Sequence, residues 1–452
     1  MGKKKQTVEE LLERAIVSKE EQLYETPENW VCVRTEYIGE IVTGSTPSKK
    51  KEEYYGGNFP FIKPGDLMQK NNVAEATEYL SEEGKKVARV IPQGSTLICC
   101  IGSIGKAGFS MVECTTNQQI NSLIPNVLLV SPKFAYYQVL NVNYQRELTS
   151  RSSATTVSII NKSKVSEIPF LLPPLSEQKR IAMKVERLLE KVEEAKALIE
   201  EAKETFNLRR AAILDKAFRG ELNCNVYKQN SSKEYPFEIP GNWVWEKFDD
   251  VAKVCSNLVD PKLYEQLPHI APDNIGKGTG SLLEYKTIGE SKVKSSKHYF
   301  YEGQILYSKI RPYLSKAVIA EFEGLCSADM YPIETILNTK YLFWYMLSPV
   351  FTEQASTAGS RSVLPKINKK ELGRIFIPVP PEHIQEEIVS FIEKALQEES
   401  VTKGLLENAL EKVEQTKQSV LSKAFRGELG TNDSTEESAL ELLKEVLQEK
   451  VK

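Results

Sequence analysis

No Cys-x-x-Cys pair occurs in these 452 residues, and the seven cysteines form no even framework. The chain is far larger than a disulfide-stapled scaffold, so reduced thiols are the expectation. Cys99-Cys100 lies in an apolar run and reads as buried strand packing. Histidine is scarce, and the three present are too far apart for zinc-ligand spacing. Charge of one sign is also missing. The formal net charge is −3, which excludes a bulk polycation but leaves a local basic face open. No apolar run approaches the length of a membrane span, and the N-terminus has no signal-peptide core. The expectation is a soluble, cytoplasmic, non-membrane protein of two to four domains. Gly102-Ser103-Ile104-Gly105-Lys106-Ala107 superficially suggests a phosphate loop. It lacks the upstream glycine and the hydroxyl after lysine that would hold Mg²⁺.

What the chain does have is an internal repeat. Pro173-Pro174 returns as Pro380-Pro381, an offset of 207 residues. Lys216-Ala217-Phe218-Arg219-Gly220-Glu221-Leu222 returns, identical in all seven residues, as Lys423-Ala424-Phe425-Arg426-Gly427-Glu428-Leu429 at the same offset. A weaker echo pairs Pro27-Glu28-Asn29-Trp30-Val31 with Pro240-Gly241-Asn242-Trp243-Val244 at an offset of 213. One structural unit is used twice, which implies an internal pseudo-two-fold axis.

Within the repeat, residues 176–218 contain neither proline nor glycine. Ile181, Val185, Leu188, Val192, Ala195, Ile199, Ala202, Phe206 and Ile213 follow a 4-3-4-3 rhythm interrupted at Arg209. This is a heptad seam. Moved by 207, the register gives Ile388, Ile392, Ala395, Leu406, Ala409, Val413 and Val420, with Glu399, Thr402 and Thr416 as polar departures. Ser176 is the expected N-cap of the first helix, and Gly220 and Gly427 the glycines that stop each helix. Each helix should be roughly 65 Å long. The pseudo-two-fold favours antiparallel packing of the two apolar stripes.

Between the helices lie two β-rich globules, marked by runs such as Thr96–Ile101 and Gly303–Ser308 and by turn signals such as Gly56-Gly57-Asn58. They share little beyond a skeleton. Thr155-Thr156-Val157-Ser158 with Ile160-Asn161-Lys162 parallels Ser360-Arg361-Ser362-Val363 with Ile367-Asn368-Lys369. The resulting organisation is α+β. It comprises an N-terminal helical arm (1–24), a first globule (25–172), a spacer helix (173–222), a linker (223–235), a second globule (236–379), a second spacer helix (380–429) and a helical tail (430–452). The tail resembles the arm in character, as if the chain were a cut circle.

This arrangement closely resembles the specificity subunit of Type I restriction–modification enzymes over essentially its full length. The carriers are Pro27-Glu28-Asn29-Trp30, Gly44-Ser45-Thr46-Pro47-Ser48, Leu172–Gln178, both Lys-Ala-Phe-Arg-Gly-Glu-Leu ends, and Tyr307-Ser308-Lys309-Ile310-Arg311-Pro312-Tyr313. The resemblance implies two target-recognition domains, each reading part of a split sequence in double-stranded DNA, and a coiled coil that fixes their separation. It also implies docking of two adenine-N6 methyltransferase subunits, with up to two restriction/translocase subunits added. S-adenosylmethionine would be bound by the partner, and no cofactor by this chain. Two departures stand out: the second helix starts with Glu382-His383, and the second globule lacks a Gly-x-Thr-Pro match.

Major-groove readout rewards Arg or Lys on guanine and Asn or Gln on adenine. The candidate DNA-contacting residues are therefore Lys106, Thr116, Asn117, Gln118 and Gln119 in the first globule. In the second they are Lys309, Arg311, Tyr313, Lys316 and Arg361. Lys309 and Arg311 also suit one solvated strand face, and Asn117–Gln119 a polar loop. Trp30 and Trp243 read as core anchors. No Asn-Pro-Pro-aromatic signature of adenine methylation is present, so the chain is expected to be catalytically silent. Two alternatives remain at this point: a Mg²⁺-dependent nuclease built on Asp273, Glu284 and Lys286, and a protein-binding coiled-coil scaffold with no DNA role.

Overall fold

The computed structural model describes residues 7–22, 25–68, 72–153, 157–222, 235–358 and 365–451. The chain divides into two compact units, one formed by residues 1–198 with 409–452 and the other by residues 199–408.

In the first unit, the leading strand Val31–Arg34 pairs antiparallel with the closing strand Pro169–Leu172. Between them the chain builds a five-stranded sheet in the order Gly39–Thr43, Ile120–Pro125, Thr96–Cys99, Ala107–Ser110, Asn72–Val73, and a smaller four-stranded sheet. The strand Thr96–Cys99 is buried at every position, in keeping with the apolar run Leu97-Ile98-Cys99 that follows Thr96. Cys99 and Cys100 are free and buried. Burial pushes the Cys100 thiol up to about 12, the behaviour of packing rather than reactive sulfur.

The second unit uses the same frame. Val244–Lys247 pairs with Phe376–Val379. A sheet then runs Ala252–Val254, Met330–Thr335, Ile305–Ser308, Ala317–Ile319. That order matches the first four strands of the sheet in the other unit. A separate five-stranded sheet completes the globule: Leu258–Val259, Lys297–Phe300, Gly324–Cys326, Pro268–Ile270, Lys286–Thr287.

The first long helix spans Leu175–Phe218 and the second Glu382–Ala424. Glu193 pairs with Lys417 at 3.2 Å in one unit, and Lys203 with Glu407 at 3.8 Å in the other. Numbers rise along one helix as they fall along its partner, so the coiled coil is antiparallel. Ile181 and Val185 in the first unit, and Ile388 and Ile392 in the second, are buried. Phe206 is buried too, whereas Leu188, Val192, Ile199, Ile213, Leu406, Val413 and Val420 are half-buried. Two strands alone cover only one side of each seam residue. Where a helix also meets its globule, the neighbours Leu189, Leu214 and Leu421 take the deeper positions.

Ser176 does not cap the first helix, which already begins at Leu175. Its hydroxyl instead donates to Glu436 at 2.7 Å. The start is held by Gln178, whose side chain accepts from Ser131 N (2.8 Å) and donates to Leu129 O and Pro173 O. Gln385 repeats this role, accepting from Asn338 N (2.9 Å) and donating to Pro380 O (3.0 Å). The unusual Glu382-His383 start therefore leaves the second helix seated like the first. Both helices end in the same motif. Glu221 N–H bonds Lys216 O and Glu428 N–H bonds Lys423 O, each at 2.9 Å. Gly220 (φ 68°) and Gly427 (φ 73°) are left-handed, as this cap requires.

The identical heptapeptides close the units. Phe218 packs edge-on against Tyr341 and Tyr345, with ring centroids 5.3 and 5.1 Å away. Phe425 meets Phe134 at 5.3 Å. A Cβ on Gly220 would collide with the Pro240 ring, and one on Gly427 with the Pro27 ring. The Pro-x-Asn-Trp echoes are thus the seats for the helix ends. In the first unit the seat carries an added polar lock. Glu177, fully buried, accepts from Trp30 Nε1 (2.8 Å), Asn432 Nδ2 (2.9 Å) and Thr431 Oγ1 (3.3 Å). Arg180 grips Glu436 through two bonds of 2.8 Å. Beyond that lock the tail helix Ala439–Val451 packs with the arm helix Val8–Ala15.

Phe425→Ala should lower unfolding free energy by about 3–5 kcal/mol. Glu177→Ile, which imports the counterpart Ile384, should cost about 1–3 kcal/mol by orphaning the buried Trp30 Nε1, whose bond goes to Glu177. Urea denaturation of the full chain checks both. An unchanged midpoint in either variant would remove that residue from the account.

Candidate nucleic-acid interface

Two distant motifs of the first globule meet. Ser45 N–H donates to Thr116 O at 2.8 Å, and Gly44 N–H to Ile120 O at 3.0 Å. Thr46 Oγ1 donates to Gln118 Oε1 at 2.6 Å. The close approach explains the glycine: a Cβ on Gly44 would collide with the carbonyl oxygens of Thr116 and Asn117. Asn117 shapes the turn, its Oδ1 accepting from Gln119 N (3.1 Å) and its Nδ2 donating to Gln119 Oε1 (2.8 Å). The five candidates here differ in access. Thr116 and Asn117 are buried, Gln119 and Lys106 half-buried, and Gln118 exposed. Lys106 sits in the turn between Thr96–Cys99 and Ala107–Ser110, with Gly105 O held by Gln145 Nε2 at 2.9 Å.

In the second globule two of the candidates, Arg311 and Tyr313, share one tight turn. Arg311 (φ 48°) and Ser315 (φ 46°) are left-handed non-glycine residues bracketing Pro312–Leu314. Such residues cost energy unless their surroundings hold them. Here Arg311 N–H bonds Pro365 O (2.8 Å), and Ser315 O accepts from Gly278 N–H (3.1 Å). The Ser315 and Thr352 hydroxyls bond each other at 2.5 Å. The turn presents Arg311 and Tyr313 to solvent, Tyr313 being 51% exposed. Lys316 points elsewhere, its Nζ donating to Pro272 O at 2.6 Å. Lys309 is half-buried and donates to Ala328 O at 2.6 Å. Arg361 lies outside the described residues, as do Ser360, Ser362, Val363, Thr155 and Thr156. Their flanking residues return beside the candidate loops: Ser158 O accepts from Gly102 N–H as Pro365 O does from Arg311 N–H.

Asp273 and Glu284 both extend into solvent. Among the described residues no group of three or more His, Cys, Asp or Glu is placed to hold a metal ion.

Gly44→Ala should push the Thr116–Gln119 turn away and cost about 1–3 kcal/mol, the usual penalty of overpacking. Thermal unfolding of the purified chain measures it. A variant as stable as the parent would mean that the two motifs do not need this contact.

The Type I restriction modification DNA specificity domain matches residues 27–204 and again 240–412. The EcoDI specificity subunit of Escherichia coli is 40% identical over 343 residues, covering 72% of this chain and 77% of the relative. The MjaIX specificity subunit of Methanocaldococcus jannaschii is 26% identical, covering 83% and 88%. Two solved structures share the fold at 19% identity, each covering 90% of this chain and 100% of its own. One is a chain from a study of assembly and conformational transition in a type I R-M system (TM-score 0.69). The other is the HsdS subunit of Thermoanaerobacter tengcongensis (TM-score 0.56). Two copies of the specificity domain on a shared frame, joined by an antiparallel coiled coil, place this chain in the Type I restriction–modification specificity-subunit family, as a DNA-recognition component rather than a catalytic one.

Proposed function

We propose that the chain reads a bipartite, asymmetric site in double-stranded DNA, one half-site per recognition domain. The observation that carries this reading is a repeated backbone frame bearing different side chains on equivalent loops. A shared frame supports a shared mode of docking, and different side chains support different sequences. In the first domain, Gln118 and Gln119 face bases, while Thr116 and Asn117 hold the turn that presents them, and Lys106 contacts phosphate. In the second, Arg311, Tyr313 and Arg361 contact the DNA, and Lys316 anchors the loop. Each good base pairing of this kind gives about 1–3 kcal/mol of discrimination.

The coiled coil sets the gap between half-sites, because linked readers gain from each other only when their spacing fits both. Its outer faces dock two adenine-N6 methyltransferase subunits, which bind S-adenosylmethionine. Restriction/translocase subunits join that assembly. The protein acts in the cytoplasm, and among the described residues no helix is long and apolar enough to cross a membrane.

The test is co-expression with the cognate modification subunit in a methylation-free host, with N6-methyladenine mapped by long-read sequencing. The expected result is one split motif with a fixed gap, absent when either chain is omitted. A stable complex that methylates nothing would overturn the reading and leave a protein scaffold. Lengthening both long helices by one heptad should widen the tolerated gap. A gap that stays fixed would show that the helices are not the ruler.

A further inference from the structure

The second recognition domain contains a cleft of about 490 Å³ that the candidate Lys309 lines without Arg311, Tyr313 or Lys316. Its walls come from separate stretches of chain. His298 stands on the strand Lys297–Phe300, opposite Leu258. Tyr331 stands on the other sheet, opposite Tyr307. Lys309 follows the strand Ile305–Ser308, Lys369 opens the short helix Lys369–Leu372, and Ser256 completes the wall.

Both lysines are fixed without being neutralised. Lys309 donates to Ala328 O at 2.6 Å, and its ammonium lies 5.3 Å from the Tyr331 ring centroid. Lys369 donates to Val254 O at 3.3 Å. An ammonium has three donors, so a single main-chain bond aims each lysine and leaves donors for a ligand. Among the described residues neither lysine has a carboxylate within ion-pair distance. The acids nearby are already engaged. Asp329 pairs with Lys366 at 3.1 Å, and Glu371 accepts from Asn368 N at 3.0 Å. His298, half of the opposite wall, turns Nδ1 to Asn257 O at 3.2 Å. Burial, with Lys309 nearby, depresses its affinity for protons, so it adds no third charge at neutral pH.

The corresponding place in the first domain is built differently on the same backbone. Lys309 N–H bonds Asp329 O as Cys100 N–H bonds Gln119 O. Tyr331 pairs with Tyr307 as Asn121 pairs with Ile98. Where one domain has a buried thiol and an amide, the other has a cation held against an aromatic ring. The frame does not require that cation.

We propose that this cleft is a phosphate site, in which Lys309 and Lys369 together hold one backbone phosphate of the DNA bound by the second domain. The inference rests on the DNA-reading function proposed above. A pair of ammonium groups favours an anion, since lysine acts as a compact point charge rather than as a planar reader of base edges. Such a contact positions the domain on the duplex and carries no sequence information itself.

The experiment uses the full chain in complex with its modification subunit and a duplex bearing the mapped motif. Affinity is measured across about 50–200 mM salt for the parent, Lys309→Gln, Lys369→Gln and the double variant. The double variant should lower the slope of log K against log salt by about 0.9, the value for one phosphate. The methylated motif should stay the same, and the double Lys→Arg variant should keep the parent slope. Gln variants that melt with the parent but keep its slope would overturn the proposal. So would a changed base preference in the second half-site with the slope intact, which would make the cleft a base reader. A parent complex that binds the motif duplex no better than a scrambled one would overturn the DNA-reading function, and this site with it.

Discussion

The seating of each helix end in a globule is the contact on which the rest of the structure depends. A left-handed glycine lets the chain leave the helix against a proline ring. The phenylalanine two residues earlier then goes into an aromatic core. Neither part tolerates much variation: the glycine has no room for a Cβ, and the buried ring fills space that smaller side chains would leave as a cavity. This is a physical reason for the repeated phenylalanine and glycine in a chain whose globules otherwise diverge. Each unit also holds the start of one long helix and the end of the other, so the helices must run antiparallel for the caps to find their seats.

With the frame fixed in this way, recognition can vary without endangering the fold. The matched strand orders and the paired backbone bonds at Gly102 and Arg311 fix where the loops stand. Side chains that project from those loops contribute little to the core. Other candidates do structural work: Lys316, Thr116 and Asn117 are spent on holding the loops that carry Tyr313 and Gln118. A loop that must present a side chain accurately needs such internal bonds, because an unsupported turn would lose the contact to conformational entropy.

Polar groups in the first unit show how the two copies have diverged in their fastenings as well. Glu177 and the residues around Thr431–Asn432 form a buried lock at a place where the other copy carries Ile384. A buried carboxylate is tolerable here because three donors meet it. It ties the tail to the Trp30 seat and brings the arm and tail helices together.

The sequence by itself determined the repeat, the two long helices, their glycine stops and the existence of two β-rich globules. Each of these rests on local patterning that a chain carries in order: heptad spacing, a proline-led start, an identical heptapeptide. It could not determine which neighbour of a heptad position sinks deepest. Leu189 and Leu214 are buried more than Leu188 and Ile213 because a globule covers a second side of each helix. It could not reveal that Ser176 serves the tail instead of capping, or that Gln178 and Gln385 clamp the helix starts from a distance. Tertiary structure alone brought Gly44 onto Thr116, turned Lys316 inward, and gathered His298, Lys309, Tyr331 and Lys369 around one cleft. Those residues are far apart along the chain, and only the pairing of strands gives them a common address.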